Sequence, residues 1–297
     1  MYIEVNGTRL FVDIEGPGLV PDGAVMREKP TLVLLHGGPA ADHSYFKPAF
    51  SALSGVAQVI YVDHRGCGRS ADSDPATWHL DQWGDDVKAL CDALGVSKPI
   101  VFGESFGGYV AQAYATRHPE HPSKLILAST AAFMDFEAVF DAFARIGGPE
   151  AAKVARERWT RPTPASRAAY MARCVPFYRP PVPGPSPERR TVVREAVALH
   201  FTGEGREVMR MDFRPALGSV RCPVLVMVGD ADPITPAAFS EAIVASLPPA
   251  LVRFERFAGC GHGIQVNDPE RFFDTMRDFI LNGVMRGGAT HRRVYGI

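Results

Sequence analysis

Ser105 lies in the run Phe-Gly-Glu-Ser-Phe-Gly-Gly at 102–108, a Gly-x-Ser-x-Gly pattern with one further glycine. A serine hydroxyl is a weak nucleophile at neutral pH, so a chain that uses one must expose it sharply and supply a base and donors for the developing anion. Gly103 and Gly107 permit that exposure, because a strand-to-helix elbow packs the positions two residues away too tightly for a side chain. Candidates for the base and its acid partner lie downstream. The run 229–233, Gly-Asp-Ala-Asp-Pro, holds Asp230 and Asp232, and the run 259–263, Gly-Cys-Gly-His-Gly, holds His262. In this reading Ser105 attacks a carbonyl carbon, His262 takes the hydroxyl proton and returns it to the leaving group, and Asp232 orients and charge-stabilises the imidazole. Asp230 is the rival acid; Asp232 is preferred because it lies deeper in the loop, directly before Pro233. The backbone N–H groups of Gly38 and Phe106 are the expected oxyanion donors. His64 and Cys67 sit in a polar, glycine-rich turn at 63–70 and are read as turn residues, since nothing local lowers the thiol pKa.

These residues converge only if secondary structure delivers them to one edge. Apolar runs at 31–35, 58–62, 100–102, 125–128, 223–228 and 251–257 have strand length and read as strands buried on both faces of a parallel sheet. The glycines and acids of interest lie just past their C-terminal ends, which share one edge in an open parallel sheet. Alternation at 1–5 and 9–14 around Asn6-Gly7 predicts a hairpin and an antiparallel edge. Helices are expected at 42–53, at 80–94, where apolar residues recur near a 3.6 period before Gly95, at 105–118 and at 236–247. The helix at 105–118 is rich in small residues, lies close to the sheet and points its positive end at Ser105. Over 131–216 strand signals vanish, alanine, arginine and aromatics take helical spacings, and 176–187 is dense in proline. That segment reads as an inserted helical cap, with Phe133, Phe136, Phe140, Phe143 and Trp159 packing it. The expected architecture is therefore an α/β core of residues 1–130 and 217–297, with a mostly parallel doubly wound sheet, and a cap over 131–216. The tail from 286 is expected to be a surface extension.

Bulk properties exclude several other functions. The 297 residues are 46% hydrophobic and 22% charged with a formal net charge of -1, so neither nucleic acid nor an anionic membrane is an expected partner. Small, near-neutral substrates fit best. Five cysteines scattered at 67, 91, 174, 222 and 260 make no disulfide framework, which fits a reducing cytoplasm. No signal peptide and no apolar run of spanning length is read. Histidines and carboxylates form no ligand-spaced cluster, so no metal or organic cofactor is expected.

The chain order Ser105, Asp232, His262 is that of an α/β-hydrolase. The runs His-Gly-Gly-Pro at 36–39, Asp-His-Arg-Gly-Cys-Gly-Arg-Ser at 63–70, Gly-Glu-Ser-Phe-Gly-Gly at 103–108 and Tyr-Ala-Thr-Arg-His-Pro-Glu at 114–120 together resemble the proline iminopeptidase family of that fold. The resemblance covers about residues 1–130 and 217–283. It implies cleavage of an N-terminal aminoacyl residue, often proline, from a short peptide or an aminoacylated small metabolite, with cap carboxylates binding the free amine. The chain is also similar to amidohydrolases that strip an aminoacyl group from macrolactam polyketide intermediates. It departs from the iminopeptidase pattern at Phe106, where that family carries tryptophan, and at His64, where it carries glutamine. The cap stretch Val-Ala-Leu-His-Phe at 197–201 lacks the family's glutamate, which leaves Glu137, Glu204 and Asp212 as candidates for the amine-binding charge. A carboxylesterase or lactonase of the same fold is the alternative activity, and a non-catalytic ligand receptor on this scaffold is a third reading.

Overall fold

The computed structural model describes residues 1–178, 190–203 and 206–284. The chain opens with β1 (Tyr2–Val5) and β2 (Thr8–Glu15), which pair antiparallel with Val5 opposite Thr8. Asn6 and Gly7 close the turn with φ of 43° and 73°, the positive pair that a type I′ hairpin needs. Where the sequence pattern shows only a loop, β3 (Leu19–Asp22) and β4 (Val25–Glu28) form a separate two-stranded sheet. It is almost wholly exposed, so no apolar alternation marks it.

Six further strands carry the architecture: β5 (Thr31–Leu35), β6 (Gln58–Val62), β7 (Ile100–Glu104), β8 (Lys124–Ala128), β9 (Val224–Gly229) and β10 (Val252–Phe257). They join β1 and β2 in one eight-stranded sheet of order β1-β2-β6-β5-β7-β8-β9-β10. From β6 to β10 every neighbouring pair is parallel. The chain leaves β5 toward β6 on one side and returns to β7 on the other. A crevice therefore opens at the C-terminal ends of β5 and β7, the switch point where open α/β sheets bind ligands.

Alternation along each strand sorts the core. Val33, Leu35, Val101, Leu125 and Leu127 pack in one buried cluster, while Leu32, Leu34, Ile100, Phe102 and Ile126 pack in the other. The first cluster is covered by α1 (Leu80–Ala93) and α2 (Phe106–Arg117). The expected helix over 42–53 is instead two 3-10 turns, His43–Phe46 and Ala49–Leu53. Lys47 between them is extended (φ -89°, ψ 145°), as the residue before Pro48 must be when the proline ring crowds its helical conformation.

Between β8 and β9 the elements are helical: α3 (Phe136–Thr160), α4 (Pro164–Arg173), α5 (Glu195–Phe201) and α6 (Arg214–Leu217). Gly148 breaks α3 with φ 78° and ψ 179°, and Pro149 starts a second arm. The arms fold back on each other, so Glu137 and Arg156, 19 residues apart, are ion-paired at 2.6 Å. The proline-dense run expected at 176–187 lies mostly outside the described residues. Then α7 (Ala237–Ser246) joins β9 to β10, and α8 (Ile264–Asn267) leads into α9 (Pro269–Asn282). The last helix, not anticipated from the sequence, buries Phe272, Met276 and Phe279 against the second cluster. Among the described residues no helix is long and apolar enough to cross a membrane.

Candidate active site

Ser105 stands between β7 and α2 with φ 54° and ψ -120°, a conformation that non-glycine residues rarely adopt. The strain is held by close packing on both sides. A Cβ on Gly103 would lie 2.3 Å from Gly107 O, and a Cβ on Gly107 would lie 2.0 Å from Leu35 O. Both glycines are therefore required for α2 to start against the sheet. Ser105 N donates to Ala128 O at 3.1 Å, and Thr130 Oγ1 donates to Ser105 O at 2.8 Å, so the elbow is tied to β8 and the loop after it.

Two other strand ends deliver the candidate acid and base. Asp232, in the loop after β9, is buried, and His262 follows β10. His262 Nδ1 and Asp232 Oδ2 are 2.7 Å apart. The carboxylate also accepts from Ile234 N and Thr235 N, each at 2.9 Å, and from Thr235 Oγ1 at 2.7 Å. Burial pushes the Asp232 carboxyl upward, but the charge of His262 and these donors outweigh it and hold its pKa below the ordinary value. For His262, burial alone would depress the imidazole. Asp232, with a smaller contribution from Glu104, raises its pKa above the ordinary value. Asp230 lies elsewhere: it is exposed, and its Oδ1 accepts from Gly259 N at 2.7 Å. The structure thus pairs Asp232, and not its rival, with His262.

Ser105 and His262 both line one cavity of about 640 Å³ at the C-terminal edge of the sheet. Gly37 and Gly38 form part of its wall; Gly38 has φ 134°, open to glycine alone, and a Cβ there would meet Ala40 N at 2.9 Å. Phe106 opens α2 directly after Ser105, and the N-terminal end of that helix faces the elbow. Its ring is buried edge-on to Trp83, His64 and Phe201. His64 is itself buried, packed on His36, with its pKa held well below the ordinary value first by burial and then by the His36 charge. Cys67 is buried and its thiol is pushed up to about 12 by burial.

Of the candidate amine-binding carboxylates, Glu137 and Asp212 are not brought to the cavity. Glu137 is exposed and paired with Arg156; Asp212 is exposed and holds Arg214 at 2.7 Å. Glu204 lies outside the described residues. Among the described residues the carboxylate that lines the cavity is Glu104, beside Ser105, buried and accepting from Tyr45 Oη at 2.9 Å and Gln265 Nε2 at 2.7 Å. Tyr45 in turn accepts from Gly37 N at 2.7 Å. No sequence signal marks Tyr45 or Gln265, which sit in short helical turns without a motif. Tyr178 packs on the edge of the His262 ring at 5.2 Å, and its carbonyl accepts from His262 N at 2.5 Å. Among the described residues no group of three histidine, cysteine or acidic side chains is placed to hold a metal ion.

Residues 30–149 match the model of the α/β hydrolase fold family. The chain has the α/β-hydrolase fold. A proposed carbamate hydrolase, RutD, of Caulobacter sp. (strain K31) is 28% identical over 284 residues, spanning 83% of this chain and 94% of the relative. The proline iminopeptidase of Lactobacillus helveticus is 40% identical over 111 residues, 35% of this chain and 36% of that one. Among solved structures, the proline iminopeptidase-related protein of Thermus thermophilus superposes with a TM-score of 0.70 at 24% identity, covering 96% of this chain and 97% of its own. The structural likeness shows the fold, and the sequence relatives support hydrolase activity for this chain.

Proposed function

We propose that this chain is a serine hydrolase of small acyl compounds, with aminoacyl amides as its substrate class. The observation that carries the reading is the buried Asp232–His262 hydrogen bond at 2.7 Å, set beside a serine held at a strained elbow. Ser105 Oγ attacks the carbonyl carbon as His262 takes its proton, giving a tetrahedral anion that the N–H groups of Gly38 and Phe106 stabilise. His262 then protonates the leaving amine, and water repeats the sequence on the acyl-enzyme. Asp232, kept ionised, holds the imidazole in the productive tautomer.

Aminoacyl specificity is supported by the iminopeptidase relatives and by Glu104, the carboxylate in the cavity wall that an ammonium group would meet. The substrate is then a short peptide or an aminoacylated metabolite. The helices of 131–216 serve as its cap, and five buried free cysteines support a cytoplasmic setting. A second reading, a carboxylesterase or lactonase, is favoured by the absence of Glu137 and Asp212 from the cavity. A panel of aminoacyl arylamides against acyl esters, with Ser105→Ala as control, decides. Amino-acid release that vanishes in the variant is expected. Brisk ester turnover with every aminoacyl amide inert gives the second reading, and turnover that survives Ser105→Ala overturns both.

A further inference from the structure

The helical wall of the cavity carries a charge for which the hydrolytic chemistry has no use. Arg158, on the second arm of α3, lines the cavity although only 4% of it is exposed. A guanidinium offers five N–H donors and no acceptor. Among the described residues its one side-chain hydrogen bond runs from Nη1 to Thr202 Oγ1 at 2.9 Å. No carboxylate among them lies within ion-pair distance. The nearby arginines are served elsewhere, Arg156 by Glu137 at 2.6 Å and Arg167 by Glu195 at 3.5 Å. Burial, and after it the charge of Arg167, depress the Arg158 pKa, yet a guanidinium stays charged at neutral pH. Arg167 also lines the cavity but is paired with Glu195, so the positive charge of this wall is that of Arg158. A buried charge without an ion-pair partner is unfavourable to folding, and among the described residues this one is offset only by the Thr202 hydroxyl, the Trp159 ring at 5.4 Å and the more distant charge of Glu195, none of them a carboxylate within ion-pair distance.

We infer that Arg158 is a specificity-determining residue that receives a carboxylate of the substrate. The planar fork of a guanidinium matches two carboxylate oxygens, and its unused donors are the ones such a group would take. Glu104 beside the nucleophile and Arg158 in the helical wall give the cavity a negative and a positive pole. Resting on the aminoacyl-hydrolase reading, this polarity narrows the substrate class to short zwitterionic compounds, a free amine at one end and a free carboxylate at the other. Dipeptides are the simplest of them. Peptide amides and neutral esters lose the Arg158 contact.

The test uses hexanoate and hexanamide as probes, binding measured by calorimetry to the full chain carrying Ser105→Ala, so that turnover plays no part. Hexanoate is expected to bind more tightly than hexanamide by roughly 30-fold, the lower end for a buried hydrogen-bonded charge pair. Adding Arg158→Gln removes that preference and Arg158→Lys keeps part of it. Equal binding of the two probes, or a preference that persists without Arg158 and so belongs to His262 or the oxyanion donors, overturns the inference. Arg158→Met supplies a readout of folding: its melting temperature is expected to equal or exceed that of the parent, because a buried charge without an ion-pair partner has gone. A lower melting temperature assigns Arg158 to the fold and also overturns the inference. Labelling of Ser105 in the parent by a fluorophosphonate tests the hydrolase reading separately. Absent labelling with hexanoate selectivity intact removes that reading and leaves the carboxylate site.

Discussion

Asp232→Asn is the substitution on which the proposed chemistry depends most directly. The carboxylate is buried and accepts four hydrogen bonds, three from Ile234 N, Thr235 N and Thr235 Oγ1 and one shared with His262 Nδ1. Asparagine fits the same volume, and its oxygen can keep the two backbone donors. The NH2 group then takes the place of Oδ2 and donates to His262 Nδ1. That fixes the imidazole proton on Nε2, where the general base needs a lone pair. A tautomer reversal of this kind costs about 10⁴ in kcat, or roughly 5 kcal/mol of transition-state stabilisation. The residual activity carries a second signature. Neutral His262 is the base, so activity falls as pH drops through its pKa, and Asp232 holds that pKa above the ordinary imidazole value of about 6.5. Without the carboxylate, burial prevails and the acid limb moves to lower pH. The assay is kcat/KM against pH for the parent and for Asp232→Asn, with circular dichroism to verify folding. Asp230→Asn, at an exposed carboxylate that holds only Gly259 N, serves as control and should stay near parental activity. Activity of Asp232→Asn within about tenfold of the parent, or a greater loss from Asp230→Asn, would refute the assignment.

Two further substitutions probe the elbow and its surroundings. Gly107→Ala places a Cβ 2.0 Å from Leu35 O, a backbone atom that cannot yield, so α2 must lift from the sheet at a cost of about 3 kcal/mol or more; thermal melting should show a clear loss, whereas Gly218→Ala, with nothing within 4 Å, should melt like the parent. Glu104→Gln removes the smaller of the two charges that raise the His262 pKa, so the acid limb should move down by less than in Asp232→Asn. KM should also rise for aminoacyl arylamides and not for neutral esters, and an unchanged ratio between the two would count against Glu104 as the partner of the amine.

The core was legible because its residues answer to local rules. Continuous apolar runs mark strands covered on both faces, and glycine at 103 and 107 is demanded by backbone contacts of 2.3 and 2.0 Å that no side chain could survive. Ser105, Asp232 and His262 each follow a strand that the sheet makes parallel to its neighbour, so their convergence follows from topology. What escaped was either too short or too exposed to carry a period. Pro48 splits the expected 42–53 helix, and the small sheet of β3 and β4 buries almost nothing. Tyr45 and Gln265 meet Glu104 only because a 3-10 turn after β5 and a four-residue helix after β10 end beside β7.

The charges of the helical elements between β8 and β9 resisted sequence reading for a different reason. On a helix, residues two apart face away from each other, so Arg156 and Arg158 belong to opposite sides of the same arm. Both are arginines in an alanine-rich stretch, and nothing local says which side meets the sheet. The fold decides: Arg156 turns outward to Glu137, cancelling the carboxylate that would have served an amine, while Arg158 turns inward without a counter-charge among the described residues. Of the candidate acids Glu137, Glu204 and Asp212, the two among the described residues are each paired at the surface with an arginine. In the proposed arrangement the cavity is instead polarised by the carboxylate of Glu104 and the guanidinium of Arg158 on α3. If that polarity selects substrate, exchanging it should redirect specificity without touching Ser105: Glu104→Gln should weaken compounds with a free amine, and Arg158→Gln compounds with a free carboxylate. The two losses should add when both charges are removed, since each acts on a different end of the substrate. Strong non-additivity in a dipeptide KM series would mean that the two residues address one group, and the two-pole arrangement would be wrong.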